Sequence, residues 1–153
     1  TWLPLRVGRG GRAFSLYKLR TMTVDAEAAG PVWAVPGDPR VTPIGRVLRR
    51  TRLDELPQAI NVLRGEMSLV GPRPERPEFV AALAEEIPFY RARHAVRPGL
   101  TGWATIHEGY AGTTEDALVK LQRDLYYIKH RSLFLDAYIL LRTVATIVRF
   151  AGR

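Results

Sequence analysis

The sequence predicts an α+β fold, a mainly helical single domain over residues 1–153 with a short β-hairpin or small sheet. Two short apolar runs around a glycine-rich turn near the N-terminus are typical of a hairpin. Several later segments carry apolar residues at helical spacing. A chain of 153 residues, 46% of them hydrophobic, is long enough to bury one core.

The hairpin is predicted from "PLRVGRGGRAFSLYKLRTM", residues 4–22, with its turn at Gly8 to Gly11. Lys18 and Arg20 alternate along the second run, so one strand face is expected to carry both side chains. That face could be simply solvated or could bind an anion. The glycine- and proline-rich residues 25–40 predict a loop.

"TPIGRVLRRT" predicts a helix with Thr42 as N-cap and Pro43 at its first position. Its apolar and basic residues are expected on separate faces, Ile44, Val47 and Leu48 on one and Arg46, Arg49 and Arg50 on the other. A second helix is expected after Asp54 and Glu55, from the apolar pattern of Leu56, Ala59, Ile60 and Leu63, ending at Gly65.

Further along the chain, "EMSLVGPRP" predicts a short strand, and "VRPGLTGWA" a turn followed by an extended segment. A third helix is expected over residues 76–87. A fourth is expected over residues 112–131, capped by Thr113 or Thr114. Their expected core positions are Phe79, Leu83 and Ile87 in the third helix, and Leu118, Leu121, Leu125 and Ile128 in the fourth.

The last predicted helix is "SLFLDAYILLRTVATIVRF", residues 132–150. It is rich in apolar residues but carries Asp136, Arg142 and Arg149, so it does not suit a bilayer crossing. The pattern is typical of an amphipathic helix in a membrane interface or against a partner. An ordinary buried helix is the alternative.

Composition narrows the chemistry. The net charge of +8 and the pI of about 10.4 favour anionic partners, namely nucleic acid, phosphorylated small molecules or an anionic membrane. The absence of cysteine excludes disulfides, thiolate catalysis and cysteine-based zinc sites. The three histidines show no paired metal-ligand spacing.

The adjacent acids in "RRTRLDELPQ" have two interpretations. Asp54 could cap a helix, although Pro57 at the third helical position has no N–H to offer it. Alternatively, an ionised Asp54 near arginines could act as a nucleophile toward phosphorus, with Glu55 holding Mg²⁺. Arg73, fixed between two prolines in "GPRP", could serve such a centre or belong to a plain rigid turn.

Taken together and in order, "VGRGGRAFSLYKLRTM", "GDPRVTPIGRVLRRTRLDELPQAINVLRGEMSLVGPRP", "VRPGLTGWA" and "DLYYIKHRSLFLDAYILLRTV" closely resemble the bacterial sugar transferase family, the monotopic polyprenyl-phosphate phosphoglycosyl transferases. The resemblance covers residues 7 to about 147. It implies transfer of a sugar 1-phosphate from a UDP-sugar to undecaprenyl phosphate, with release of UMP, in exopolysaccharide, capsule, O-antigen or glycoprotein glycan synthesis.

The resemblance also implies residue roles. Asp54 would be the nucleophile that carries the phosphosugar, and Glu55 would bind Mg²⁺. The positions that the resemblance assigns to phosphate or nucleotide are Lys18, Arg49, Arg73 and, more weakly, Arg97; Arg20 joins this substrate-binding set as the neighbour of Lys18 in the "YKLRTM" motif. The expected partners are the UDP-sugar, undecaprenyl phosphate and a membrane lipid surface; no nucleic acid is expected, and homo-oligomerisation stays open.

The implied location is the cytoplasmic face of the bacterial inner membrane. Three departures from the family pattern are expected to matter. The N-terminal re-entrant membrane helix is absent and would lie just before Thr1. Thr105 in "WAT" and the loop "IHEGYAGTTEDA" differ from the usual sequence, and Arg123 replaces a residue that is often aromatic. The last two departures leave the transferred sugar undetermined.

Two other classes of protein fit parts of the sequence. The arginines of "GRVLRRTR" could follow the phosphates of a nucleic acid, although an exposed Asp–Glu pair beside them would repel that backbone. A catalytically silent scaffold for glycan enzymes at the membrane would share every feature except activity.

Overall fold

The structure is a computed structural model that describes residues 3–28, 30, 32, 34–35, 37–107 and 113–148. It confirms the mainly helical α+β class. Strand β1, Leu5–Val7, pairs antiparallel with β2, Ala13–Ser15, around a single 3-10 turn at Arg9–Gly11. The hairpin prediction is confirmed, but β2 ends at Ser15. Lys18 and Arg20 therefore lie beyond the strand rather than along one of its faces.

The helices and the second sheet make up most of the remaining described chain. Strand β3, Ser68–Val70, pairs parallel with β4, Gly99–Thr101. The helices are α1 (Pro43–Thr51), α2 (Ala59–Leu63), α3 (Pro77–Glu86), α4 (Trp103–His107), α5 (Thr114–His130) and α6 (Leu133–Val148), with 3-10 segments at Leu53–Gln58 and Tyr90–Ala95.

Helix caps follow the sequence closely. The Thr42 hydroxyl accepts a hydrogen bond from the Gly45 N–H at 2.9 Å, as predicted for α1. Thr113 caps α5 through a reciprocal pair of bonds with Asp116, each 3.1 Å long. Gly112, predicted as the start of that helix, lies outside the described residues. The extended segment predicted within "VRPGLTGWA" is confirmed as β4, and α4 begins directly after it at Trp103.

The main core packs α3 and α5 against β1 and the 3-10 segment Tyr90–Ala95. Its buried residues are Val7, Val80, Leu83, Ile87, Tyr90, Ala117 and Leu121, with Phe79 packed against them. A second cluster joins β3, α5 and α6 through Val70, Tyr127 and Ile139. The expected inward positions of α3 are therefore confirmed.

Helical spacing of apolar residues does not always mark a buried face, and one predicted core position, Leu118, is wrong. On α1, Ile44 and Val47 are 74% and 61% exposed, because the helix approaches the rest of the domain through Gly45 instead. Leu56, Ile60 and Leu63 likewise face outward, while Gln58 and Asn61 are buried. In α5, Leu118 is exposed, and Asp124 occupies the buried face.

Asn61 explains why α2 buries a polar face. Its amide oxygen accepts from the Tyr17 N–H at 2.9 Å, and its amide nitrogen donates to the Ser15 carbonyl at 2.8 Å. The same nitrogen donates to Glu66 at 2.7 Å. These bonds attach the chain after β2 to α2, so the amide is fully used although it is completely buried.

Helix α6 is not an ordinary buried helix. Ile139 is fully buried, but Leu133, Phe134 and Leu141 are 89%, 84% and 72% exposed. The charged end predicted for this helix, at Arg149, lies outside the described residues. Across the part of the chain that is described, every helix falls short of the length or apolarity that a membrane crossing requires.

Candidate active site

The adjacent acids lie on the 3-10 segment Leu53–Gln58, which follows α1 after a sharp break. The break is at Arg52, whose backbone is left-handed with φ of 57°. No side chain caps this segment, so the capping interpretation of Asp54 is wrong. The α-helical geometry starts only at Ala59, beyond Pro57. Asp54 is 3% exposed, and its carboxylate is engaged by a cation.

That cation is Lys18. Its ammonium lies 2.9 Å from Asp54 Oδ2 and 3.5 Å from Glu55 Oε1, so it bridges the two carboxylates. The Leu19 N–H donates to the Asp54 carbonyl at 3.0 Å and holds the Lys18 segment against the acids. The two carboxylates thus converge on one point occupied by positive charge.

Arg73 binds Glu55 from a different part of the chain. Its Nη2 donates to Oε1 in a close contact, and its Nη1 lies 3.5 Å from Oε2. Burial opposes ionisation of Glu55, but the charges of Arg73 and Lys18 outweigh it and lower the pKa to about 2. The Glu55 charge in turn raises the pKa of Arg73. Glu55 is therefore ionised at neutral pH.

Backbone hydrogen bonds fix the two residues that precede Arg73. The Gly71 N–H donates to the Thr101 carbonyl at 2.9 Å, and the Pro72 carbonyl accepts from the Gly99 N–H at 2.9 Å. A Cβ at Gly99 would lie 2.1 Å from Gly71 N, so this parallel contact requires glycine. The "GPRP" and "RPGLTG" motifs therefore contact each other, and together they hold the backbone that carries Arg73.

Arg52 is a site residue that the sequence reasoning did not identify. Its charge helps to lower the pKa of Glu55, and its Nε is buried with no hydrogen-bond partner among the described residues. A guanidinium nitrogen in that state suits an anionic acceptor. The position carried no sequence signal, because the left-handed turn that directs Arg52 toward the acids depends on the packing of α1.

The structure does not bring the remaining predicted cations to the acids. Arg49 donates from Nε to the Thr21 hydroxyl at 2.8 Å and pairs with neither carboxylate. Arg20 is exposed. Arg97 is exposed and lines a cavity of about 440 Å³ with residues of α6 that include Leu133 and Asp136.

The two acids offer oxygen ligands for a metal ion. Among the residues that the structure describes, no cluster of three or more acidic, histidine or cysteine side chains could hold a metal ion. Mg²⁺, however, usually takes one or two carboxylates and completes its shell with water and substrate phosphates. Two carboxylates that already share one cation, Lys18, fit that requirement.

Comparisons with known proteins agree with this architecture. The sequence profile described as bacterial sugar transferase matches residues 3–150. The chain is 50% identical, over 99% of its length and 36% of the relative, to UDP-N-acetylgalactosamine-undecaprenyl-phosphate N-acetylgalactosaminephosphotransferase of Aeromonas hydrophila. It is 46% identical, over 94% of its length and 54% of the relative, to UDP-glucose:undecaprenyl-phosphate glucose-1-phosphate transferase of Caulobacter vibrioides.

A third relative, the exopolysaccharide production protein PSS of Rhizobium leguminosarum, is 43% identical over 92% of this chain and 74% of its own length. The fold and the site together define the class of protein: a small helical domain in which two basic side chains hold adjacent carboxylates. The chain belongs to the bacterial sugar transferase family. It spans roughly a third to a half of the first two relatives.

Proposed function

We propose that the protein transfers a sugar 1-phosphate from a UDP-sugar to undecaprenyl phosphate and releases UMP. The observation that carries the proposal is the convergence of Lys18 and Arg73 on adjacent carboxylates in a chain of this family. Two of the three named relatives, those of Aeromonas hydrophila and Caulobacter vibrioides, act on UDP-sugars and undecaprenyl phosphate according to their names.

Asp54 is the proposed nucleophile. Its carboxylate oxygen forms a bond to the phosphorus that carries the sugar, and the bond from that phosphorus to the UMP oxygen breaks. A phosphate oxygen of undecaprenyl phosphate then attacks the same phosphorus. The Asp54 carboxylate leaves, and the product is a sugar linked to the lipid through a diphosphate.

The surrounding cations stabilise charge in both displacements. Lys18, which already contacts Asp54, can neutralise an oxygen of the transferred phosphoryl group. Arg52 can donate its unpartnered Nε to a second phosphate oxygen. Arg73 keeps Glu55 ionised and oriented, so that carboxylate would hold Mg²⁺ beside Asp54. When bound, the metal would neutralise negative charge on the diphosphate of the donor.

A membrane lipid surface is the proposed location, on the cytoplasmic face of the inner membrane. Exposed apolar side chains run over α1, the 3-10 segment with the acids, α2, β3 and α6, and each of these elements contacts another of them. They include Ile44, Val47, Leu56, Leu63, Leu69, Leu133, Phe134 and Leu141. Exposed apolar residues in this number mark a binding surface, and a lipid acceptor requires one at the bilayer.

The test is UMP release by the full-length protein from a panel of UDP-sugars, with undecaprenyl phosphate and Mg²⁺. Labelled donor without acceptor should leave a phosphosugar adduct, which peptide mapping should locate at Asp54. Asp54→Asn should abolish both the adduct and turnover.

The matched control is Asp38→Asn. Like Asp54, Asp38 is buried and paired with a basic side chain, here Arg40 at 2.6 Å, but it lies in the loop before α1. Turnover should survive there. Wild-type turnover in Asp54→Asn would eliminate the nucleophile assignment. A catalytically silent scaffold would instead give no UMP from any donor with the wild-type protein.

A further inference from the structure

A buried ion pair lies directly behind Arg73. Arg93 Nη2 is 2.6 Å from Asp124 Oδ2, and both side chains are 2% exposed. Arg93 Nη1 donates to the Tyr90 hydroxyl at 2.8 Å. The pair joins the 3-10 segment Tyr90–Ala95 to the buried face of α5, where an apolar residue would ordinarily pack.

The same guanidinium reaches the active-site loop. Arg93 Nη2 also donates to the carbonyl of Arg73 at 2.9 Å. The neighbouring carbonyls of Pro72 and Glu75 accept from backbone N–H groups of Gly99 and Val7, each at 2.9 Å. The Arg73 carbonyl, in contrast, is held by the side chain of Arg93, and the buried carboxylate of Asp124 fixes that side chain.

We propose that Arg93, held by Asp124, is a positioning residue that sets the backbone of Arg73 and thereby aims its guanidinium at Glu55. Arg73 lies between two prolines, which limit its backbone to few conformations but supply no N–H bonds of their own. A fork-shaped guanidinium can bind Asp124 and the Arg73 carbonyl at once, whereas an ammonium cannot reproduce that planar geometry.

The inference rests on the proposed function only for its activity readout. In the full-length protein, Arg93→Lys should lower kcat/KM by about tenfold to a hundredfold, since a small misplacement near the reacting groups has effects of that size. Arg73→Lys should do likewise. The double variant should lose little more than Arg73→Lys alone, because Arg93 acts through Arg73.

A purely structural role for Arg93 predicts the opposite. The fold-losses of the two single variants would then multiply in the double variant, and that result would overturn the proposal. If Arg93→Lys does not fold, Asp124→Asn replaces it in the same cycle, because the amide keeps the size of the carboxylate but removes its charge. Asp38→Asn is again the matched control for loss of a buried charge pair.

A second readout does not depend on activity. The protein is labelled with ¹⁵N-arginine, and the Arg73 signals are assigned by their loss in Arg73→Lys. The contact of the Arg73 guanidinium with both oxygens of Glu55 should slow its rotation. Arg93→Lys should speed that rotation, and Asp38→Asn should not. Unchanged Arg73 signals in Arg93→Lys would overturn the positioning role. Absence of UMP release by the wild-type protein would overturn the proposed function. The rotation of the Arg73 guanidinium would then be the test of the positioning role of Arg93.

Discussion

The guanidinium of Arg73 contacts both carboxylate oxygens of Glu55, although eighteen residues separate them in the chain. The pairing keeps Glu55 ionised despite its partial burial. Lys18 lies 3.5 Å from the same Glu55 Oε1 that Arg73 binds, and it connects Glu55 to Asp54. Under the proposed function, a carboxylate held in this way would be preorganised to bind a metal ion beside the donor phosphate.

Replacing Arg73 by lysine should weaken catalysis even though the charge is kept. A lysine ammonium supplies a point charge and cannot contact both Glu55 oxygens in one plane. We expect kcat/KM for the UDP-sugar to fall by about tenfold or more. Arg91→Lys, at an exposed arginine of the next 3-10 segment, is the control and should match wild type. Equal activities of the two variants would show that only charge matters at position 73.

His94 should make the protein less stable in mild acid. Burial, reinforced by the charges of Arg93 and Arg91, lowers its pKa from 6.5 to about 4. Between those pH values His94 is protonated in the unfolded chain but neutral in the native state. The free energy of unfolding therefore falls as the pH drops through that range. A shift of this size corresponds to about 3 kcal/mol.

Denaturant titrations at several pH values should measure the effect of His94. His94→Gln removes the titrating group, so its stability should depend less on pH between 4 and 6.5. His130→Gln changes an exposed histidine and serves as control. An unaltered pH dependence in His94→Gln would contradict the assignment.

Gly45→Ala should damage both stability and activity. A Cβ at Gly45 would lie 2.0 Å from the Thr21 carbonyl oxygen. That oxygen belongs to the backbone, so no side-chain rotation can relieve the clash. Separating α1 from Thr21 would also displace the segment that carries Lys18. We expect a loss of about 2–3 kcal/mol in the free energy of unfolding.

Thermal melting and UMP release should be measured together for Gly45→Ala. Gly8→Ala is the milder comparison, since its Cβ would meet the Phe14 side chain at 3.2 Å and the Arg12 carbonyl oxygen at 3.3 Å, both far longer than the 2.0 Å contact at Gly45. If Gly45→Ala were as stable as Gly8→Ala, the close approach of α1 to Thr21 would be wrong.

Phe134→Asp should reduce binding to the membrane without affecting the fold. Phe134 is 84% exposed on α6, so its replacement removes few internal contacts. Flotation of the 153-residue chain with vesicles containing anionic lipid should show less bound protein. Val24→Asp changes a residue that is 86% exposed in the loop before α1 and should float like wild type. Equal flotation of both variants would remove α6 from the lipid-binding surface.

The local signals that the sequence contains were sufficient for much of the secondary structure, although not for α4 or the 3-10 segments. Turn glycines, the Thr42 and Thr113 caps and the apolar spacing of α3 act over a few residues, so the hairpin and most helices could be predicted from them. The order of the motifs also identified the acids, Lys18 and Arg73 through the family resemblance.

Burial and the arrangement of cations depended on the tertiary structure. Apolar spacing cannot distinguish a face that packs inward from one that meets a lipid surface. The apolar faces of Ile44 and Leu63 are exposed, and Leu118 was predicted to lie in the core although it is exposed. The left-handed turn at Arg52 and the bond from Arg93 to the Arg73 carbonyl join residues through packing between elements. Periodicity along one chain carries no information about such contacts, because their partners come from distant segments.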